Sequence, residues 1–209
     1  MHKIIAMKLI GGLSKTSKMP GLSFGLPTIN CLTGGKLARI PGSVCSNCYA
    51  MKGYYTTFAH VVGPAQQRRL ASISDPKWID AMVVLLAKEC WFRWFDSGDL
   101  QSTQMLLNIF EIARKTPHCH HWVATRERKF VREALAVSHI PDNIVVRVSA
   151  AFPDVPVREL QTDGVNYANV HKKKPPVGHK CPAPEQNGKC DLCRVCWDRS
   201  VKTVSYKEH

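Results

Sequence analysis

From residue 90 to residue 152 the chain alternates short apolar runs with amphipathic segments, and this alternation constrains the fold more than any other feature. "CWFRWFD" leads through the turn "SGD" into "STQMLLNIFEIARKT", where Leu106, Ile109, Phe110 and Ala113 recur at helical spacing. "HHWVATRE" precedes "RKFVREALAVSH", and "NIVVRVSAAF", introduced by Pro141-Asp142-Asn143, is the next strand. Strands separated by helices pair in parallel, because the helix carries the chain back to the same end of the sheet. Ligands gather at the C-terminal edge of such sheets. The polar residues there are Asp96 to Asp99, Thr125 to Glu127, and Ser149.

The flanks are less regular. The first fifty residues read as one short strand and a long loop with three cysteines. Residues 50 to 73 are expected to be helical apart from a break at Pro64. "DPKWIDAMVVLLAKEC" predicts a buried helix, with Asp75 as N-cap and Pro76 in the first helical position. Beyond residue 152 the pattern fades into a linker, "HKKKPPVGHK", and a compact cysteine module, "CPAPEQNGKCDLCRVCW".

Nine cysteines need an explanation. The start, "MHKIIAMKLIGG", lacks the features of a secretion signal, and no apolar stretch approaches the ~20 residues of a membrane span. A cytoplasmic setting is therefore expected, where cysteines serve as metal ligands more than as disulfides. Cys181, Cys190, Cys193 and Cys196 follow C-x8-C-x2-C-x2-C, a set that closes a [4Fe-4S] cube or, as the alternative, a structural zinc site. Cys31, Cys45 and Cys48 follow C-x13-C-x2-C. Three thiolates on a second [4Fe-4S] cube leave one iron open to a ligand. A distant histidine completing a structural site, or Cys31 as an unrelated buried thiol, remain alternatives. Cys90 is expected to be a packed thiol, and "HCHH" around Cys119 the polar start of a strand, with metal binding the less favoured reading.

The chain holds 29 Lys and Arg against 16 Asp and Glu, a net +13, and this favours a polyanionic partner, nucleic acid first. The basic groups "QQRRL" and "TRERKFVR" are expected on solvated helix faces, and "HKKKPP" in a mobile linker.

An open three-cysteine loop ahead of βα units resembles the radical S-adenosylmethionine (SAM) superfamily. In that family an aromatic residue lies between the last two cysteines; here Tyr49 follows the last one. "DSGDL" resembles the family's strand-end turn for the amino group of SAM, which implies cofactor contact from Ser97, Gly98 and Asp99, with Asp99 as the carboxylate. The same resemblance places Thr125, Arg126, Arg147 and Ser149 near the ribose and carboxylate of the cofactor. Almost the whole chain also resembles the gene product 88 family of phage and prophage proteins. That resemblance rests on "PGLSFGLPTINCLTGGKL", "GSVCSNCYAMKGYY", "QRRLASISDPKWIDAM", "FRWFDSGDLQS", "HWVATRE", "VVRVSA" and "CDLCRVCWD". It implies a phage or mobile-element origin and an iron–sulfur protein, and no particular reaction.

The expected fold is α/β: a radical-SAM-like partial (β/α) barrel of about five or six parallel strands over residues 1–170. Residues 171–209 supply a linker and the four-cysteine module packed on that core. The expected function is an iron–sulfur enzyme with two [4Fe-4S] clusters that binds and reductively cleaves SAM. It draws on an electron donor and acts on a large substrate such as nucleic acid. The alternative is a non-enzymatic basic iron–sulfur or zinc protein that binds DNA or a host protein and senses redox state. A cysteine–histidine hydrolase finds no nucleophile motif.

Overall fold

The computed structural model describes residues 1–208. Helix α1 (Lys3–Leu9) precedes strand β1 (Leu22–Phe24), and the cysteine loop follows with α2 (Leu32–Leu37) and two 3-10 turns. Next come α3 (Tyr54–Thr57), α4 (Ala59–Ser72) and α5 (Trp78–Leu86). The three βα units then appear in turn: β2 (Trp91–Trp94), α6 (Thr103–Lys115), β3 (His120–Thr125), α7 (Arg128–Val137) and β4 (Ile144–Ser149). The chain ends with β5 (Asn166–His171), β6 (His179–Lys180) and β7 (Thr203–Lys207).

All seven strands join one parallel sheet in the order β1-β2-β3-β4-β5-β7-β6. One more strand is present than the upper expectation of about six, because the tail contributes β6 and β7. The expected boundary at residue 170 thus falls inside β5, and the tail is woven into the sheet. The order of β1 to β5 follows the chain, as in a barrel rather than a doubly wound fold. Sequential right-handed crossovers place the crossover helices on one face of such a sheet. Phe92, Trp94, Val123, Val146 and Val148 fill that face with α5 and α6 side chains. Successive residues point the other way: Trp91, Trp122 and Ala124 pack on Met19, Trp197, Cys190, Cys196 and Tyr206.

Local chemistry accounts for several boundaries. Ser102 caps α6 by accepting a hydrogen bond from the Met105 amide at 3.1 Å. α4 runs through Pro64 without a break; the interruptions fall earlier, at Gly53 and Phe58. α5 starts at Trp78 rather than Asp75, and the Asp75 carboxylate instead accepts from the Lys77 amide at 2.8 Å. Cys90 is exposed in the turn before β2, not packed. "HCHH" does begin a strand, with Cys119 and His121 fully buried. Arg69 of "QQRRL" is buried and donates to Gly12 and Gly25 carbonyls and the Ser14 hydroxyl; Gln66 is buried too, so only Gln67 and Arg68 of this group face solvent. Nor is "HKKKPP" free of anchors, because the Asp154 carboxylate accepts from the amides of Lys172, Lys173 and Lys174.

His121 ties the helical face together. Trp94 Nε1 donates to its Nδ1 at 3.2 Å, which leaves Nε2–H to donate to Thr116 Oγ1 at 2.9 Å. Thr116 in turn donates to the Ile112 carbonyl. Burial, with His118 and His120 nearby, pushes the His121 pKa down from 6.5 to about 3. Between those values the unfolded chain binds a proton that the fold refuses, so stability falls as pH drops from about 6.5 toward 3. His121→Leu is expected to be less stable at pH 7 but to lose this slope. Chemical denaturation of both proteins from pH 7 to pH 4 checks it; parallel slopes would refute it.

Candidate functional site

The N-terminal cysteines come from two separate turns. Cys31 ends a 3-10 turn and is the N-cap of α2. Cys45 lies in a second 3-10 turn, and Cys48 caps it. That second turn is pinned to the sheet: the Val44 amide donates to the Ala151 carbonyl at 2.9 Å, just past β4. Ser43 holds it to α2 by donating to the Leu37 carbonyl at 2.6 Å while accepting from the Ser46 amide.

Gly34 marks where the two turns meet. A Cβ there would lie 3.1 Å from Cys31 Cβ, 3.5 Å from Cys45 Sγ and 3.7 Å from Cys31 Sγ. A side chain at Gly34 would therefore press on the Cys31 Cβ and touch both thiols. Burial and then the Asp99 charge, with Cys48 and Cys45, push the Cys31 thiol up to about 12, while Arg126 opposes them. Burial also raises Cys45; Arg126 again lowers it, and Cys48, Asp99 and Glu127 raise it. The three cysteines thus share one electrostatic environment with the ends of β2 and β3.

Glu127 positions Cys31. Its two carboxylate oxygens accept from the amide and the hydroxyl of Thr33, both at 2.7 Å, and so clamp the first turn of α2 to the end of β3. A buried bidentate contact of this kind orients a ligand-bearing turn. If Cys31, Cys45 and Cys48 hold a cluster, Glu127→Gln is expected to lower the iron it retains under chelator challenge by about ten-fold or more, with any iron at the C-terminal cysteines unaffected. Equal losses from both sites would show a general effect on stability instead.

The strand-end residues divide. Asp99 is buried and already satisfied: Thr125 Oγ1 and the Leu100 amide donate to Oδ1 at 2.6 and 2.8 Å, and the Arg126 amide to Oδ2 at 2.8 Å. Desolvation raises its pKa to about 6 despite those donors. Asp99 and Thr125 therefore join β2 to β3, where an ammonium contact was expected of Asp99. Ser97 donates to the Leu26 carbonyl and accepts from Gln66. Gly98, at φ 73°, has no room for a Cβ, which would stand 2.5 Å from Leu26 Cβ. Both residues serve the close approach of the chain after β1 to the chain after β2. Phe95, at φ 67°, carries backbone strain in the same turn.

Tyr49 reaches back from the cysteine loop and donates to the Asp96 carbonyl. Tyr55 donates to Asp96 Oδ2 at 2.9 Å, and the buried Asp96 Oδ1 has no hydrogen-bond partner. Arg93 links this corner to the opposite face of the sheet. It donates to Tyr49 Oη at 3.1 Å and lies 4.5 Å from the Trp122 ring centroid. Burial alone would lower its pKa, but Tyr49, Asp96, Tyr206 and Tyr55 raise it overall. The sequence gives no role to Arg93 and Tyr55, although both lie within blocks that carry the family resemblance.

The C-terminal cysteines also converge. Cys181 follows β6, and its amide donates to the Ser205 carbonyl. Cys196 Sγ lies 3.1 Å from the Tyr206 hydroxyl. Burial pushes Cys196 up to about 11; Tyr206 and Arg147 oppose this, and Cys181 and Cys190 add to it. Arg147 belongs here and not at the sheet edge. Mid-strand alternation turns it onto the tail, where it donates to carbonyls of Val195, Cys196, Asp198 and Val201. Among the described residues, no group of three or more His, Cys, Asp and Glu side chains is arranged to hold a metal ion.

Arg126 and Ser149 face one cleft, and Arg126 Nε donates to the Ala150 carbonyl at 3.3 Å. With Thr33 they line an open cleft of about 670 Å³ beside the first cysteine set. A family model named Gene product 88 matches residues 6–199. The chain belongs to the gene product 88 family. No curated protein and no solved structure matches it. The match spans both cysteine sets of this gene product 88 protein and strands β1 to β6, and ends just before β7. No helix among its described residues is long and apolar enough to cross a membrane.

Proposed function

We propose that this protein is an iron–sulfur enzyme of radical-SAM type. The observation that carries the reading is the convergence of Cys31, Cys45 and Cys48 at the C-terminal edge of a parallel sheet, beside an open cleft. The donors suit a cluster in kind: thiolates spread over several irons need not crowd around one ion, and burial favours their neutralisation by a cationic centre. Cys31, Cys45 and Cys48 would hold one [4Fe-4S] cluster, and Cys181, Cys190, Cys193 and Cys196 a second cluster or a zinc ion. When bound, a three-cysteine cluster supplies an open iron for SAM and the electron that cleaves it to a 5′-deoxyadenosyl radical.

The chain's own residues do the positioning. Glu127 and Ser43 set the two cysteine turns against each other. In this reading Arg126 presents its forked donors to the carboxylate of SAM, and Ser149 its hydroxyl to the ribose. Asp99 fixes the strand ends that carry them. Arg93 and Trp122 connect Tyr49 to the face covered by the tail.

The test is iron, acid-labile sulfide and zinc per anaerobically purified chain, followed by assay for 5′-deoxyadenosine under reduction. About eight irons with matching sulfide, or about four plus one zinc, and release of 5′-deoxyadenosine are expected. Zinc without sulfide would sink the reading. Iron and sulfide without SAM binding would leave the non-enzymatic iron–sulfur alternative.

A further inference from the structure

We infer that the outer part of this cleft binds the phosphate groups of a nucleic-acid strand, through Arg128, Arg132 and Arg158. Arg126 and Thr33 mark the end of the cleft near the cysteines, and these three arginines line it with Phe152 and Glu159. Two of them come from the first turns of α7, and the third from the chain between β4 and β5. Among the described residues none of the three forms an ion pair, and Glu159 is the single carboxylate lining the cleft.

Three like charges facing one volume repel, and burial adds to the cost. The Arg128 guanidinium is made less basic by burial and then by Arg132 and Arg158. A bound polyanion relieves that repulsion, and the N-terminal end of α7 adds its dipole to the attraction. Forked guanidinium donors match phosphate oxygens. Phe152 provides an apolar side chain on which a base can stack, the combination used for single strands. Thr162 Oγ1, on the same wall, is buried without a hydrogen-bond partner.

The inference rests on the proposed function only in naming the strand as what the cysteine site acts on; strand binding itself needs no cluster. The experiment is fluorescence anisotropy of a labelled single-stranded DNA oligonucleotide across a salt series. The triple variant Arg128→Gln, Arg132→Gln, Arg158→Gln is expected to bind at least ten-fold more weakly. Its slope of log affinity against log salt should be shallower by about two, at roughly 0.7 per arginine. Arg→Lys at the same three positions should retain most of the affinity, which separates lost charge from misfolding. A control, Lys172→Gln with Lys173→Gln and Lys174→Gln, should bind nearly as the parent does.

Unchanged binding in the arginine variant, with loss in the lysine control, would overturn the site. Competition by a nucleoside monophosphate as effective as the oligonucleotide would overturn the strand in favour of a nucleotide. Equal competition by a polyglutamate peptide would overturn phosphate recognition altogether. The oligonucleotide titration is read without SAM or reductant, so failure of the SAM reading and failure of this one give different results.

Discussion

Arg147→Met is expected to cost about 3–5 kcal/mol and to release the C-terminal cysteine module from the sheet. Arg147 is 0% exposed, and its guanidinium donates to four tail carbonyls at 2.8 to 3.1 Å. Burial lowers its pKa, while Tyr206, Cys196 and Asp198 favour the charged form. A methionine fills much of the volume but leaves those carbonyls without their donor, and stranded buried acceptors cost about 1–3 kcal/mol each when they find no other partner. Lysine would do little better, because one ammonium cannot span four carbonyls in a plane. Against a domain stability of about 5–15 kcal/mol the loss is large. Urea denaturation measures it, and limited proteolysis should show new cleavage after residue 180. A variant as stable as the parent, with its tail protected, would refute this account.

If both clusters form as proposed, Cys31→Ala is expected to halve the iron and sulfide, from about eight irons to about four, and to abolish SAM binding. Cys193→Ala should also remove iron but leave SAM binding in place. The contrast follows from geometry: Cys31 meets Cys45 across Gly34 beside Arg126, whereas Cys193 lies in the tail beside Cys190, which packs on the other face of the sheet. Iron and sulfide analysis with equilibrium dialysis of SAM reads both effects. If the two variants lose SAM binding equally, the two sites do not have separate roles.

Much of the sheet was legible. β2, β3 and β4 each announce themselves by apolar runs followed by helical periodicity, a signal that needs only neighbouring residues. β5 does not, because Asn166 and Asn169 interrupt its pattern. Both amides serve loops: Asn166 donates to the Arg199 and Val201 carbonyls, and Asn169 accepts from the Val157 amide. β6 is two residues long and stands beside β7, which lies far along the chain. The continuity of α4 through Pro64 was likewise hidden, since proline reads locally as a break.

By itself the sequence determined that the strands are parallel and that polar groups stand at their C-terminal ends, and it singled out two sets of closely spaced cysteines. Those are consequences of spacing and periodicity, which act over a few residues. Only the tertiary structure decided what the polar groups face. Asp99 turned inward to Thr125 and Arg126, Arg147 went to the tail through strand alternation, and Glu127 found Thr33 nearly a hundred residues away. It also brought Arg158 to Arg128 and Arg132, a meeting that no local pattern encodes because it depends on how β4, β5 and α7 pack.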